Sequence, residues 1–225
     1  MENLNIIETR YATELRANAE TGIVSGTAIV FNKESNLLGG QFREIIRPSA
    51  ATEEFLRSQD IVMKFNHAED SILARYRADG QRNSLGFSVD EVGVHFQFKA
   101  KTKDAGLLES IAAGDLNACS FAFRVSPEVN AEAWEKRNDG TYIRTINKFD
   151  VVRDFSIVID PAYSDTTVSM RGIDELKQQE ELKVQEELKR KEEEDKLQLE
   201  QKNMEAQKLS EYYKKYEDKI NALKK

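Results

Sequence analysis

Three residues in separate stretches of the chain have the chemistry of a nucleophile, a base and an orienting acid. His67 follows an apolar run, Ser120 lies inside the alternating run 116–123, and Asp154 begins a third, mostly apolar run. A serine hydroxyl is a poor nucleophile at neutral pH and needs a base, and histidine titrates close to that pH. A carboxylate can hold the imidazole in the correct tautomer and stabilise its charged form. The three residues are therefore candidates for a catalytic triad.

Other interpretations of these residues stay open at this point. The order of residues along a chain does not identify a triad, because the same geometry arises from unrelated orders. A serine in a strand more often faces solvent or caps a neighbour. Glu69 and Asp70 are alternative acids for orienting His67, although adjacent surface acids are commonly just solvated. His95, the other of the two histidines, lies on the polar face of an alternating strand and is expected to meet solvent.

Metal and cofactor chemistry is not predicted. The chain has one cysteine and two histidines, without a close ligand spacing such as HExxH. We therefore assign no metal and no cofactor. The single cysteine, Cys119, cannot form an internal disulfide, which is typical of a protein from a reducing compartment.

Short runs of β-type residues must position the candidate residues. The patterns predict strands at residues 5–15, 22–31, 41–46, 61–65, 84–89, 92–99, 116–123, 142–149 and 151–159. They predict helices at 48–57 and 105–113, and a polar loop at 126–140 in which Trp134 is a local packing anchor. Many strands with few helices indicate an α+β fold, a mainly antiparallel barrel or sandwich with peripheral helices.

Composition narrows the classes of partner. The formal net charge is -7 and the pI is about 5.2, which disfavours nucleic acid or an anionic membrane as the main partner. The first residues lack the basic start and apolar run of a secretion signal. No stretch approaches the roughly 20 apolar residues that span a bilayer. We therefore expect a soluble, intracellular protein.

The composition changes near Gly172, so we divide the chain into residues 1–171 and 172–225. All three prolines precede this point, and neither glycine nor proline follows it. The tail is rich in Glu, Lys, Gln and Leu and would extend roughly 80 Å as one helix. Leu209, Tyr213, Tyr216, Ile220 and Leu223 have heptad spacing over about two heptads. The alternatives are a coiled coil or partner-binding helix, and a solvated helix or disordered linker.

Five segments of the chain are informative as a set and in their order. They are Gly26–Phe31, Phe42–Pro48, Phe65–His67 with Ile72–Arg75, Ser120–Phe123, and Asp154–Val158 with Pro161–Tyr163. In this order they resemble the prohead proteases, which are the capsid maturation proteases of tailed bacteriophages. The resemblance covers about residues 5 to 171.

This resemblance implies a fold and a set of site residues. The family is related to the herpesvirus assemblin serine proteases, so residues 1–171 are expected to form an assemblin-like antiparallel β-barrel surrounded by helices. By position, His67 matches the motif histidine and Ser120 the nucleophile. Assemblins use a second histidine after the serine, which this chain lacks. Asp154 stands where phage members commonly have an acidic residue and is assigned as the third member.

The same resemblance implies a function and partners. The expected protein is a serine endopeptidase that acts in the host cytoplasm, inside the assembling procapsid. Its substrates would be scaffold, or the scaffolding segment of the major capsid protein, and often the protease itself. The charged helical tail, residues 172–225, resembles a scaffold fused behind the protease. Self-association, as a homodimer like the assemblins or through the tail, is a further expectation.

Two rival classes are kept beside the protease. In a catalytically silent internal scaffold, Ser120 would be structural and unreactive. An esterase using the same three residues is disfavoured, because the chain lacks a GxSxG elbow and the alternating βα pattern. The reactivity of Ser120 discriminates between the protease and the silent scaffold.

Overall fold

The computed structural model describes residues 7–12, 14–159 and 167–223. The strands are β1 (Glu8–Ala12), β2 (Leu15–Asn18), β3 (Ile23–Val30), β4 (Phe42–Ile46), β5 (Ile61–Phe65), β6 (Ile72–Tyr76), β7 (Leu85–Val89), β8 (Gly93–Lys99), β9 (Ala118–Val125), β10 (Glu132–Lys136), β11 (Tyr142–Ile146) and β12 (Phe149–Val158). The α-helices are α1 (Glu53–Arg57), α2 (Ala105–Ala113) and α3 (Thr167–Leu223), and 3₁₀ turns cover Pro48–Ala51 and Thr102–Asp104. The chain divides into two units between Met170 and Arg171. In the described part of the chain, no helix is long and apolar enough to cross a membrane.

A five-stranded sheet, in the order β1-β9-β12-β5-β6, carries the candidate residues. Its neighbouring strands are antiparallel, except for the parallel pair β12 and β5. β9 and the second half of β12 are buried along nearly their whole length, in keeping with their apolar and small side chains. Ser120 therefore sits in a strand that is paired on both sides.

Two smaller sheets complete the first unit. One has the order β2-β3-β8-β7 and is antiparallel throughout. The other has the order β10-β11-β4, with β11 and β4 parallel. The ring of Phe96 on β8 lies 6.4 Å from that of Phe155 on β12, so the four-stranded sheet packs its apolar face on the five-stranded one.

The expected α+β class with a C-terminal helix is confirmed, but a closed barrel is not found among the described strands. The described strands are divided among three separate sheets, each of which has two edge strands. Four consecutive pairs, β2-β3, β5-β6, β7-β8 and β10-β11, form antiparallel hairpins, whereas the other strand neighbours are joined across longer connections. The strands therefore do not add edge to edge around one cylinder.

Three local predictions need correction. Residues 5–15 do not form one strand, because β1 and β2 belong to different sheets. The helix expected at 48–57 is a 3₁₀ turn followed by α1, whose start is capped by Thr52. The loop expected at 126–140 contains β10, whose mostly exposed polar residues hide the strand pattern. Trp134 of β10 packs locally, with its ring 5.3 Å from that of Phe42.

Four buried charges join β1 to the three-stranded sheet: Glu8, Arg10, Glu44 and Arg144. Arg10 donates two hydrogen bonds of 2.7 Å to Glu44, and Arg144 donates bonds of 2.6 and 2.9 Å to Glu8. Burial lowers the pKa of Arg144, but the charges of Glu8 and Glu44 outweigh this effect and raise it overall. Paired charges therefore anchor β1, the strand next to β9.

The second unit contains most of α3, a helix of 57 residues that begins at Thr167, just before the boundary between the units. An α-helix of that length extends roughly 85 Å. Residues 181–211 expose every described side chain, and the exposed apolar ones include Leu182, Leu188 and Leu209. The absence of glycine and proline after Gly172 permits this uninterrupted helix. The side chains of the heptad residues after Leu209 lie outside those described.

Candidate active site

The register of three adjacent strands brings the candidate residues together. Ser120 of β9 lies directly opposite Ser156 of β12, and Asp154 lies two residues earlier on the same face of β12. β5 runs parallel to β12, with Lys64 opposite Ser156. His67 follows the end of β5 and so reaches the same place. The parallel pairing is the long-range contact that unites the three residues.

The three side chains form one continuous chain of hydrogen bonds. The Nδ1 of His67 lies 2.6 Å from the Oδ1 of Asp154, and its Nε2 lies 2.8 Å from the Oγ of Ser120. Asp154 is buried and Ser120 is 6 % exposed, whereas 26 % of the His67 side chain is exposed. The acid is shielded from water, and the ring of His67 is accessible.

The charge of Asp154 fixes the direction of these hydrogen bonds. Burial raises the pKa of Asp154, but its hydrogen bond and charge interaction with His67 and the positive charge of Lys64 outweigh burial and lower the pKa below its usual value. An ionised carboxylate can only accept, so the Nδ1 of His67 donates to it. In the neutral ring, Nε2 then accepts from the hydroxyl of Ser120. This is the arrangement in which histidine can remove the serine proton.

The turn after β5 is held in an unusual backbone conformation. Asn66 and His67 have φ angles of 50° and 55°, in the left-handed region that residues other than glycine rarely adopt. The N–H of Asn66 donates to the carbonyl of Ile157 at 2.9 Å, and its side-chain oxygen accepts from the N–H of Ile159 at 3.0 Å. The end of β12 therefore clamps the turn that presents His67.

The acids next to His67 do not take the orienting position. Asp154, not Glu69 or Asp70, contacts the ring, and the exposed Glu69 accepts hydrogen bonds from Lys64 at 3.1 Å and from Arg153 at 3.0 Å. Lys64 is buried, and its Nζ lies 3.5 Å from the Oδ2 of Asp154. Lys64 was not among the residues singled out from the sequence. No local pattern indicates that it faces Asp154, because that contact depends on the pairing of β5 with β12.

Ser156 is a second residue that was missed from the sequence. It is fully buried, its Oγ donates to the Oδ1 of Asp154 at 3.0 Å, and it accepts from the backbone N–H of His67 at 3.2 Å. The sequence did contain an indication of this position, because residues two apart in a strand share a face. Ser156 therefore had to lie beside Asp154 if that residue belonged to the site.

His95 is more engaged than the sequence predicted. Its Nε2 lies 3.1 Å from the Oδ1 of Asp90, and its Nδ1 lies 3.1 Å from the hydroxyl of Thr27. The hydroxyl of Thr27 also donates to Glu14 at 2.8 Å. His95 therefore does not simply meet solvent but links β8 to β3.

Cys119 is adjacent to Ser120 but is not an alternative nucleophile. Successive residues of β9 point to opposite faces, and Cys119 is fully buried in the core. Burial raises the pKa of its thiol, which therefore stays protonated and unreactive.

Two further observations concern the surroundings of the site. The segment Pro161–Tyr163, which contributed to the resemblance, lies outside the described residues. Among residues 7–12, 14–159 and 167–223, no group of three or more His, Cys, Asp and Glu side chains could hold a metal ion.

Comparison with known proteins identifies the family. No curated protein and no solved structure gave a match. The family model described as caudovirus prohead serine protease matches residues 8–179, a range that contains His67, Ser120, Asp154 and all the described strands. Since this match covers well over half of the sequence, the chain belongs to the caudovirus prohead serine protease family.

Proposed function

We propose that the chain is a serine endopeptidase of phage capsid maturation in which Ser120 is the nucleophile, His67 the general base and Asp154 the orienting acid. The supporting observation is the unbroken series of hydrogen bonds from Ser120 through His67 to Asp154, at 2.8 and 2.6 Å. These distances lie within the reach that proton transfer requires. Family membership supports the reaction class.

The proposed reaction proceeds by acyl transfer. The Oγ of Ser120 attacks the carbonyl carbon of the scissile peptide bond while its proton passes to the Nε2 of His67. The buried carboxylate of Asp154 stabilises the imidazolium that forms. His67 then gives the proton to the departing amine, which leaves an acyl ester on Ser120. Water, activated by the same ring, hydrolyses the ester and restores the enzyme.

The proposed setting is the interior of the assembling procapsid, in the cytoplasm of the host. The substrates are scaffold, or the scaffolding segment of the major capsid protein, and the protease itself. Family membership supports action in the procapsid, whereas the individual substrates are our proposal.

We propose that α3 acts as a scaffold-like tether that brings the protease into the shell and is later cut off. Its support is a long helix whose described middle section exposes charged side chains together with Leu182, Leu188 and Leu209. Such a helix can bind other helices of the internal scaffold or a second copy of itself. Cleavage near Gly172 would release the enzyme from it.

The enzymatic part is tested by intact mass over time for the wild-type protein and the Ser120→Ala variant. Each is incubated alone and with the major capsid protein of the same phage. We expect defined fragments with the wild-type protein and with the matched Thr27→Val variant, and none with Ser120→Ala. If a folded wild-type protein and Ser120→Ala give the same masses in both mixtures, Ser120 is not the nucleophile and the silent scaffold is favoured.

The tether is tested by the number of copies that enter proheads. We expect a chain ending at Arg171 to be depleted from purified proheads relative to the full chain. Its reaction with a fluorophosphonate, measured separately, serves as a control for folding. Equal packaging of the two chains would reject the role of α3.

A further inference from the structure

Ser156 forms hydrogen bonds to both partners of the His67–Asp154 pair. Its Oγ lies 3.2 Å from the backbone nitrogen of His67 and 3.0 Å from the Oδ1 of Asp154. That carboxylate oxygen is the one that binds the imidazole ring. Ser156 is fully buried, so water does not replace these contacts.

The direction of both bonds is determined by the groups involved. A backbone N–H can only donate, so the oxygen of Ser156 accepts from His67. The carboxylate of Asp154 can only accept, so the single hydroxyl proton of Ser156 points to it. The hydroxyl has no second arrangement that satisfies both neighbours, and it connects the backbone of His67 to the acid that its ring must meet.

The surroundings show why this connection matters. His67 has a left-handed φ of 55°, a strained conformation that needs support from surrounding contacts. The Oδ2 of Asp154 lies 3.5 Å from the buried Nζ of Lys64, so the two carboxylate oxygens face different partners. Ser156 binds the oxygen that meets His67.

We propose that Ser156 is a positioning residue that sets the distance and angle of the Nδ1–Oδ1 hydrogen bond, and this inference rests on the proposed function. Without its hydroxyl, the N–H of His67 loses its partner and the carboxylate turns towards Lys64. The ring of His67 then no longer points its Nε2 at the proton of Ser120. Ser156 itself does not touch the reacting atoms.

The first test uses a fluorophosphonate, which needs no knowledge of the natural substrate. In this reaction the Oγ of Ser120 forms a bond to phosphorus, the phosphorus–fluorine bond breaks, fluoride leaves, and the serine proton passes to the Nε2 of His67. The second-order rate constant is followed by intact mass. We expect Ser156→Ala to react about 10- to 100-fold more slowly, as is typical when a supporting hydrogen bond is removed from a site.

Two variants separate the hydroxyl from general effects on packing. Ser156→Cys keeps a side chain of similar shape but donates only weakly, so we expect it to react as slowly as Ser156→Ala. Ser126→Ala removes another buried hydroxyl, one that accepts from the N–H of Glu128 and takes no part in the hydrogen bonds around His67, and should react at the wild-type rate. A folded Ser156→Cys or Ser156→Ala that reacts at the wild-type rate would overturn the inference.

The second test observes the hydrogen bond directly and does not depend on catalysis. The proton on the Nδ1 of His67 should give a far-downfield NMR resonance in wild-type protein and in Ser126→Ala. In Ser156→Ala we expect this resonance to move upfield or to vanish by exchange, and an unchanged resonance would count against Ser156. If wild-type Ser120 is not labelled at all, the proposed function fails, whereas the resonance still decides the role of Ser156.

Discussion

The two histidines of this chain occupy similar local arrangements, and we propose a catalytic role for only one of them. Each ring lies between an aspartate and a hydroxyl: His67 between Asp154 and Ser120, and His95 between Asp90 and Thr27. Contact with an acid and a hydroxyl therefore does not distinguish an active site from a structural link.

The two sites differ in how far the aspartate is exposed to solvent and in which group accepts the hydroxyl proton. The Asp154 side chain is 4 % exposed, whereas that of Asp90 is 55 % exposed and its charge is screened by water. The hydroxyl of Thr27 is buried and donates its proton to Glu14, so His95 cannot take that proton. The proton of Ser120 has His67 as its acceptor. A buried acid and a hydroxyl proton that the histidine accepts thus distinguish the site that we propose to be catalytic.

The largest expected effect is the loss of the nucleophile. Ser120→Ala should lower the rate of peptide cleavage by on the order of 10⁴-fold or more, since a triad acts as a unit. Thr27→Val removes the corresponding hydroxyl near His95 and should leave the rate unchanged. Cleavage of the capsid protein measures both variants. A comparable loss in the two would remove the distinction between the histidines.

The next effect concerns the two acids. Asp154→Asn should lower the cleavage rate by up to about 10⁴-fold, because the amide no longer holds His67 in the required tautomer. Asp90→Asn should change the rate by less than about twofold, because an exposed pair contributes little. Rates are compared at one pH with both proteins shown to be folded. Equal rates for Asp154→Asn and wild type would contradict the role of Asp154.

The pH dependence of stability should also separate these acids. The pKa of Asp154 is lowered, so its contribution to stability is present above the ordinary aspartate pKa near 3.9 and is lost as pH falls through the lower folded value. Hydrogen bonds to a charged group typically contribute about 1.5–3 kcal/mol. The free energy of unfolding of wild type relative to Asp154→Asn should shrink over that acidic range. For Asp90, whose pKa is also lowered, chiefly by its bond to His95, the change has the same sign and is smaller. A difference that grows on acidification would contradict this sign.

The smallest effect is expected at His95 itself. His95→Gln should lower the free energy of unfolding by about 1 kcal/mol, the usual contribution of a hydrogen bond. The cleavage rate should stay at the wild-type value, whereas His67→Gln should abolish cleavage. Urea unfolding and the cleavage assay measure the two quantities. A loss of cleavage in a folded His95→Gln variant would show that His95 contributes to the site.

The sequence indicated the candidate residues but not the contacts around them. The types and order of His67, Ser120 and Asp154 were readable, because few residues in the chain can perform this chemistry. The residues alone left Glu69 and Asp70 open, and the family resemblance favoured Asp154. The structural reason for the contact of Asp154 with His67 is the parallel pairing of β5 with β12, a long-range contact that no local pattern contains. The same pairing determines the position of Lys64.

The fold was predictable where apolar and polar residues alternate and was missed where they do not. β8 shows the alternation clearly, because the buried residues Val94, Phe96 and Phe98 alternate with the more exposed His95, Gln97 and Lys99. β10 has mostly exposed polar residues, so its pairing with β11 left no signal in its own sequence. The division of the strands into three sheets depends on crossovers that strand patterns do not encode.

The most direct measurement maps the residue that a fluorophosphonate modifies in the full-length protein, by peptide mass spectrometry of wild type and His67→Ala. We predict one adduct, on Ser120, in the wild type and none on Thr27. We also predict that His67→Ala remains folded and unmodified over the same time. A folded wild-type protein without an adduct on Ser120, or an equally fast adduct in His67→Ala, would contradict the proposal that His67 activates Ser120.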